Sequence, residues 1–222
     1  MLIINIFCFC HNKYQTTDSV HIFWQPETKL TIKDYQGDTI SKIMDVLRKY
    51  DFYSSASVGI FTILDIPKKK RNRGKNPEIV YIAPAFEKTT SFTISNDTMQ
   101  ILMQNMFFDI NELCARRARK KLQKLQDTLQ AYGVLTIFFE TVKAEMNKER
   151  IDFYHSYFNS VYVEKKEGSY YSWRNLVDKL LLETNEWATK PEDCYRFIKN
   201  KPIVEGYIMA PTLFGNLSKD KP

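Results

Sequence analysis

The spacing of the apolar residues changes at about residue 95, and this change constrains the fold more than any other feature of the chain. Up to that point, apolar and β-prone runs alternate with polar or turn-forming segments, a pattern typical of strands. From Ser95 onward, apolar residues recur every three or four positions, which places them on one face of an α-helix. The sequence therefore predicts an α+β fold, with a mostly antiparallel N-terminal sheet and one helix, followed by a predominantly helical region.

The same change predicts how the chain is divided. We expect a sheet-containing lobe at residues 1–94 and a mainly helical lobe at residues 95–222, and the two can pack as one domain. The helix of the first lobe is expected at Thr39–Tyr50, because Asp38 can cap the apolar residues that follow it at helical spacing. The last strand of this lobe is expected to stop near Pro84. The expected strands are Leu2–Cys10, Val20–Trp24, Lys29–Lys33, Ser57–Ile66 and Glu78–Ile82.

The second lobe is expected to contain four helices. The first follows a cap at Ser95–Asp97 and continues to Tyr132, with a break at Asp109 as an alternative. A short strand is expected at Ser160–Lys165, and an irregular chain is expected from Lys201. The other helices are Val134–Arg150, for which a strand followed by a helix is the alternative, Trp173–Trp187, and Glu192–Ile198 after Pro191.

Hydropathy and cysteine content argue against a membrane or disulfide-rich protein. The longest apolar run, Leu2–Cys10, has about half of the roughly 20 residues that a transmembrane helix needs, and it lacks the flanks of a secretory signal. The four cysteines are too sparse for a disulfide framework, so we expect an intracellular location, cytoplasmic or, in a eukaryotic host, nuclear. Cys8-x-Cys10-His11 could be half of a metal site, but the spacing is unusual for one. Buried thiols are the better interpretation of this segment. The cysteines are Cys8, Cys10, Cys114 and Cys194.

The positive charge of the chain is concentrated in two segments. The net charge is +6, and the sequence pI is about 9.0. Lys68–Lys75 reads KKKRNRGK, and Leu113–Gln126 reads LCARRARKKLQKLQ; each contains six basic residues and no acidic one. The first segment is expected to be a projecting loop between neighbouring strands. The second is expected to form a helix with an apolar seam through Ala118 and Leu122 and a basic back.

These two segments favour nucleic-acid binding, because each phosphate that Lys or Arg neutralises releases condensed counterions. We expect an accessory or regulatory protein that binds DNA or RNA. Alternatively, the two segments contact a membrane surface or an acidic protein partner in a larger complex, or the basic side of the helix is simply solvated. The expected contact residues are Lys68, Lys69, Lys70, Arg71, Arg73, Lys75, Arg116, Arg117, Lys120, Lys121 and Lys124.

A second hypothesis is nuclease activity. Asp152, followed by Glu164-x-Lys166 in an expected strand, resembles the PD-(D/E)xK arrangement, in which two carboxylates hold a divalent metal and lysine positions water. We expect no cofactor, and Mg²⁺ only if this nuclease hypothesis holds. Ile151 stands where that motif has proline, and Lys165 where its strand has an apolar residue.

Arg150-x4-His155 is similar to the R-x4–6-H motif of HEPN ribonucleases, which act on RNA without metal. The resemblance covers six residues and implies an all-helical bundle, from which a β-rich first lobe departs. No Walker A, G-x-G-x-x-G, H-E-x-x-H or G-x-S-x-G motif occurs, which removes the most recognisable nucleotide-binding, zinc-protease and serine-hydrolase classes. The third class of function is a protein-interaction subunit whose apolar seam packs against a partner helix.

Overall fold

A computed structural model of the chain describes residues 14–38, 49 and 53–211. The strand expected at Leu2–Cys10 and the Cys8-x-Cys10-His11 segment lie outside the described residues, and so does the helix expected at Thr39–Tyr50 except for Lys49. The fold is α+β, as the sequence predicts, with an antiparallel sheet followed by a mostly helical region.

The main sheet has four antiparallel strands in the order β1–β4–β3–β6. A separate two-stranded ladder joins β2 to β5. The strands are β1 His21–Phe23, β2 Ser54–Ser55, β3 Val58–Pro67, β4 Ile79–Glu87, β5 Phe92–Thr93 and β6 Tyr207–Met209. The long β3–β4 pair runs from Val58 opposite Phe86 to Asp65 opposite Ile79, and its connecting hairpin carries the first basic segment.

Strand β4 continues through Pro84, although a stop was expected there. Proline has no backbone N–H and is uncommon in a central strand. The Pro84 carbonyl still accepts a hydrogen bond from the Trp24 N–H at 3.0 Å. The Trp24 carbonyl cannot accept a hydrogen bond from Pro84, because proline has no N–H. It accepts one instead from Nε2 of Gln25 at 2.5 Å. A side chain thus replaces the missing ladder bond.

Two expected strands are wrong, and the chain from Lys201 is less irregular than expected. Lys29–Lys33 contains no strand, because Asp34 accepts from the N–H of Thr31 at 2.7 Å and from its hydroxyl at 2.9 Å, which stabilises a 3-10 turn at Ile32–Asp34. Ser160–Lys165 contains no strand either, because its first four residues belong to a π-helical turn, Asn159–Val163. Its consecutive residues Val161 and Tyr162 are both buried, which the alternating faces of a strand do not favour. After Lys201, the chain adds β6 to the free edge of β3.

Four helices follow the N-terminal strands. The first begins after Asp97, whose carboxylate accepts from the Met99 N–H at 2.8 Å, and it runs past Asp109 without a break. It ends before Gln130, which has a φ of 48°. The second helix begins at Val134, so the helical interpretation of Val134–Arg150 is confirmed. This helix continues eight residues beyond Arg150. The helices are α1 Thr98–Leu129, α2 Val134–Phe158, α3 Ser169–Glu183 and α4 Pro191–Lys199.

The largest hydrophobic cluster lies between β3, β4 and the first three helices. It takes residues from both sides of residue 94, including Leu64 and Ile82 of the sheet and Ile110 of α1. Ala118 and Leu122 belong to this cluster. The first half of the expected apolar seam therefore packs within the chain rather than facing a partner helix.

Buried charges tie the helices to the sheet. Asp65 of β3 and Arg196 of α4 are each 1% exposed and form a bidentate ion pair, with Nε–Oδ2 at 2.6 Å and Nη2–Oδ1 at 2.8 Å. Glu78, buried just before β4, accepts from the backbone N–H groups of Leu135 at 3.0 Å and Thr136 at 3.3 Å. Glu78 thereby caps the positive end of α2.

Within the described residues, no helix is long and apolar enough to cross a membrane.

Candidate functional site

The first basic segment, Lys68–Lys75, is the tip of the β3–β4 hairpin, and we call it the basic loop. The loop position expected from the sequence is confirmed, since the two flanking strands pair directly. A 3-10 turn at Lys70–Asn72 and a positive φ of 89° at Gly74 shape the loop. Its base is held by two hydrogen bonds, from the Lys68 N–H to the Gly206 carbonyl at 2.8 Å and from Nε of Arg73 to the Pro67 carbonyl at 3.3 Å.

Most of the positive charge of the basic loop is exposed and unpaired. Arg73 is half-buried, whereas the other five cations are exposed. Among residues 14–38, 49 and 53–211, no carboxylate lies within ion-pair distance of any of them. These cations therefore repel one another without compensation, and a bound anion would relieve that repulsion. The five exposed cations are Lys68, Lys69, Lys70, Arg71 and Lys75.

The second basic segment does not form the expected basic face. Arg116 is 2% exposed, and its Nε contacts Oε1 of the fully buried Glu112 at 2.7 Å. Its Nη1 donates to the Leu181 carbonyl at 2.5 Å, and its guanidinium lies 4.9 Å from the centroid of the Trp24 ring. Arg116 is a core residue, and its buried guanidinium is not part of the exposed basic surface that the sequence predicts.

Two more cations of α1 are already neutralised by α2. Arg117 pairs with Glu149 and Lys121 with Glu145, across the interface of the two helices. Only Lys120 and Lys124 of the expected face are exposed without an ion pair among the described residues. The basic helix face is therefore reduced to two lysines, one helical turn apart.

Sequence reasoning missed Arg119, which the structure places at the centre of a polar network. Its guanidinium donates to the Trp187 carbonyl, to the Thr189 hydroxyl and to Glu112. Glu112 also accepts from the Thr189 N–H at 2.9 Å. The available signal was Glu112 itself, an acidic residue four positions before Arg116 and seven before Arg119 on the same helix. The network fixes the 185–189 segment against α1.

A cleft lies between α1 and this 185–189 segment, and we call it the α1 cleft. Its volume is about 290 Å³. Burial raises the pKa of the Asp193 carboxyl in its wall to about 6. The walls carry an aromatic ring, amide side chains, carboxylates and two cations. These polar and aromatic lining residues are Arg119, Gln123, Gln126, Asp127, Glu186, Trp187, Lys190 and Asp193.

The α1 cleft adjoins the basic loop. A second depression, of about 190 Å³, is lined on one side by Gly74 and Lys75 and on the other by Gln130 and Tyr132. Burial also raises the pKa of the Tyr132 phenol. Gln126 lines both the depression and the α1 cleft, so a continuous surface leads from the loop to the cleft.

The structure separates the residues of the expected metal-dependent nuclease site. Asp152 lies in α2, and Glu164 directly follows the π-helical turn that continues α2. At a rise of up to 1.5 Å per residue, roughly 16–18 Å along one helical path separates the two carboxylates, too far for a shared ion. Lys166 is exposed and pairs with Glu164 at 2.6 Å. The strand that this interpretation required is absent, and no group of three or more His, Cys, Asp or Glu side chains in the described part of the chain could hold a metal.

Arg150 and His155 also fail to share a surface. Five residues along a helix turn the side chain by about 140°. The Arg150 guanidinium lies 5.6 Å from the centroid of the Tyr154 ring, whereas the exposed His155 lines a largely apolar cavity of about 370 Å³ that Arg150 does not line. The four-stranded sheet further departs from the all-helical bundle that the HEPN resemblance implies.

Comparison with models of protein families, with curated protein sequences and with solved structures finds no match to this chain.

Proposed function

We propose that this chain binds nucleic acid through the basic loop, in an accessory or regulatory role within the cell. The observation that carries the proposal is the set of five exposed cations at one hairpin tip, none of them paired with a carboxylate of the described chain. Elsewhere on the described surface, other lysines form ion pairs with carboxylates. Examples are Lys121, Lys143 and Lys166.

A hairpin tip of this kind suits a polyanion better than a single small anion. Of the basic loop, only Gly74 and Lys75 line the neighbouring depression. The five exposed charges lie on one projecting turn and match a repeating phosphate backbone. Each neutralised phosphate releases counterions, so affinity comes from charge number rather than from shape. The two exposed lysines of α1, Lys120 and Lys124, can extend the same contact.

The test is fluorescence-anisotropy titration of labelled single-stranded and duplex DNA and RNA over a series of salt concentrations. The loop variant is Lys68→Ala/Lys69→Ala/Lys70→Ala/Lys75→Ala. The matched control is Lys121→Ala/Lys143→Ala/Lys166→Ala/Lys179→Ala, which removes the same charge from lysines that are ion-paired on the surface. We expect the loop variant to reduce the slope of log affinity against log salt by up to about 0.7–0.9 for each lysine that contacts a phosphate. The control should shift affinity much less.

The same titrations separate the alternatives. Equal effects of the loop variant and the control would show that net charge, not the loop, drives binding. Absence of binding at low salt would overturn the proposal and leave an acidic protein partner for the loop. Products run on a gel with and without Mg²⁺ test for cleavage, which the proposal does not expect.

A further inference from the structure

The α1 cleft differs from the basic loop in the kind of ligand that it suits. Three carboxylates, Asp127, Glu186 and Asp193, line it together with two cations, Arg119 and Lys190, so the cleft lacks the excess of positive charge that the loop carries. Its other walls carry the Trp187 ring and the amide groups of Gln123 and Gln126. An aromatic ring beside uncharged hydrogen-bonding groups and acceptor oxygens is the combination that holds an unpaired nucleobase, by stacking on its face and by hydrogen bonding at its edge.

The Trp187 side chain is fixed before any ligand arrives. Its Nε1 donates to Oε1 of Gln123 at 2.8 Å, and its backbone carbonyl accepts from Arg119. The Nζ atom of Lys120 lies 4.6 Å from the ring centroid. A ring held in this way loses little conformational entropy when a base stacks on it.

The position of the cleft fits a strand that is bound at the basic loop. Gln123 of the cleft lies on α1, and Gln130 of the depression beside Lys75 directly follows that helix. The two are seven residues apart, about 10 Å at a rise of 1.5 Å per residue. That distance is about three nucleotides of stacked single strand. A backbone that contacts the loop can therefore place a base in the α1 cleft.

We infer that the α1 cleft receives an unpaired nucleobase stacked on Trp187, so that the chain distinguishes single-stranded from duplex nucleic acid. This inference rests on the proposed function of the basic loop. A base within a duplex is stacked between its neighbours and cannot enter the cleft unless it leaves the helix.

The test compares Trp187→Ala with Trp187→Phe, which keeps a stacking ring, and with Tyr171→Ala, which removes a 64% exposed aromatic ring that does not line the cleft. We expect Trp187→Ala to lower affinity for a short mixed-sequence single strand by roughly 5- to 150-fold. Affinity for duplex and the salt slope should stay unchanged. Trp187→Phe should retain most of the affinity, and Tyr171→Ala all of it.

A second measurement uses the unaltered chain. Photocrosslinking of a single strand that carries 5-iodouracil should label a peptide containing Trp187, whereas the matching duplex should not label it. If Trp187→Ala leaves single-strand affinity intact, or if crosslinks avoid that peptide, the inference is overturned while the proposed function stands. If the unaltered chain binds no nucleic acid at all, the proposed function itself fails.

Discussion

Breaking the buried ion pair between Asp65 and Arg196 should destabilise the protein far more than removing the pair. In Arg196→Met, the Asp65 carboxylate, 1% exposed, loses both of its hydrogen bonds to the guanidinium and keeps a buried charge. Breaking one side of such a pair costs about 3–5 kcal/mol. For a chain of this size, each kcal/mol shifts Tm by about 2–4 °C, so we expect a loss of roughly 6–20 °C.

The double variant Asp65→Val/Arg196→Met tests the reasoning, because it removes both charges together. Replacing a buried pair by apolar groups is often close to neutral, so the double variant should be more stable than Arg196→Met alone. The control is Arg117→Met, whose pair with Glu149 is 34% exposed on each side and should contribute at most about 1 kcal/mol. The assay is urea and thermal unfolding followed by circular dichroism. The reasoning is refuted if Arg196→Met costs no more than Arg117→Met, or if the double variant is as unstable as the single one.

Three other variants or measurements test single groups. Because burial raises the pKa of Asp193 to about 6 from 3.8, the folded chain holds a proton between about pH 4 and 6 that the unfolded chain has released. The contribution of Asp193 to stability is thus fully present below about pH 4 and falls as pH rises to 6, and Asp193→Asn should remove that fall from urea unfolding curves. Glu78→Ala should cost about 1–2 kcal/mol in the same assay, because the N–H groups of Leu135 and Thr136 lose their acceptor. Burial raises the pKa of the Cys114 thiol to about 12, so peptide mass spectrometry should find it unalkylated in the native chain and alkylated after denaturation.

Each of these expectations has a contrary result. If the unfolding free energy of Asp193→Asn has the same pH dependence as that of the unaltered chain, another group titrates in that range. If Glu78→Ala lowers the free energy of unfolding no more than Glu183→Ala, a change at an exposed position, the capping role of Glu78 is rejected. Alkylation of Cys114 at equal rates in the native and denatured chain would contradict its burial.

The elements that the sequence predicts well are those whose signals are local. Strand β3 has a continuous β-prone run that ends at Pro67, and helix α4 has Pro191 at its first turn. The basic loop was predictable for the same reason, since eight consecutive residues without an apolar side chain cannot enter a core. Pro84 misled the prediction of β4, because Gln25, far away in sequence, compensates for the missing donor.

The candidate site was only half predictable, because burial of a charged residue depends on distant partners. Arg116 and Lys124 are both cations of one helix, two turns apart, and nothing local distinguishes them. Arg116 is buried because Glu112, Trp24 and the Leu181 carbonyl surround it. The α1 cleft likewise depends on the return of residues 185–193 to α1, which no local pattern indicates.

Strand β6 makes the order of biosynthesis matter for this fold. Its residues Tyr207–Met209 pair with Asp65–Pro67, so the partner of the β3 edge is translated about 140 residues after that edge. Until then, the hydrogen-bonding groups at the end of β3 face solvent on the nascent chain, where they can pair with another polypeptide. A chain that ends before residue 207 therefore lacks this partner of β3, and synthesis of the β6 segment completes the four-stranded sheet.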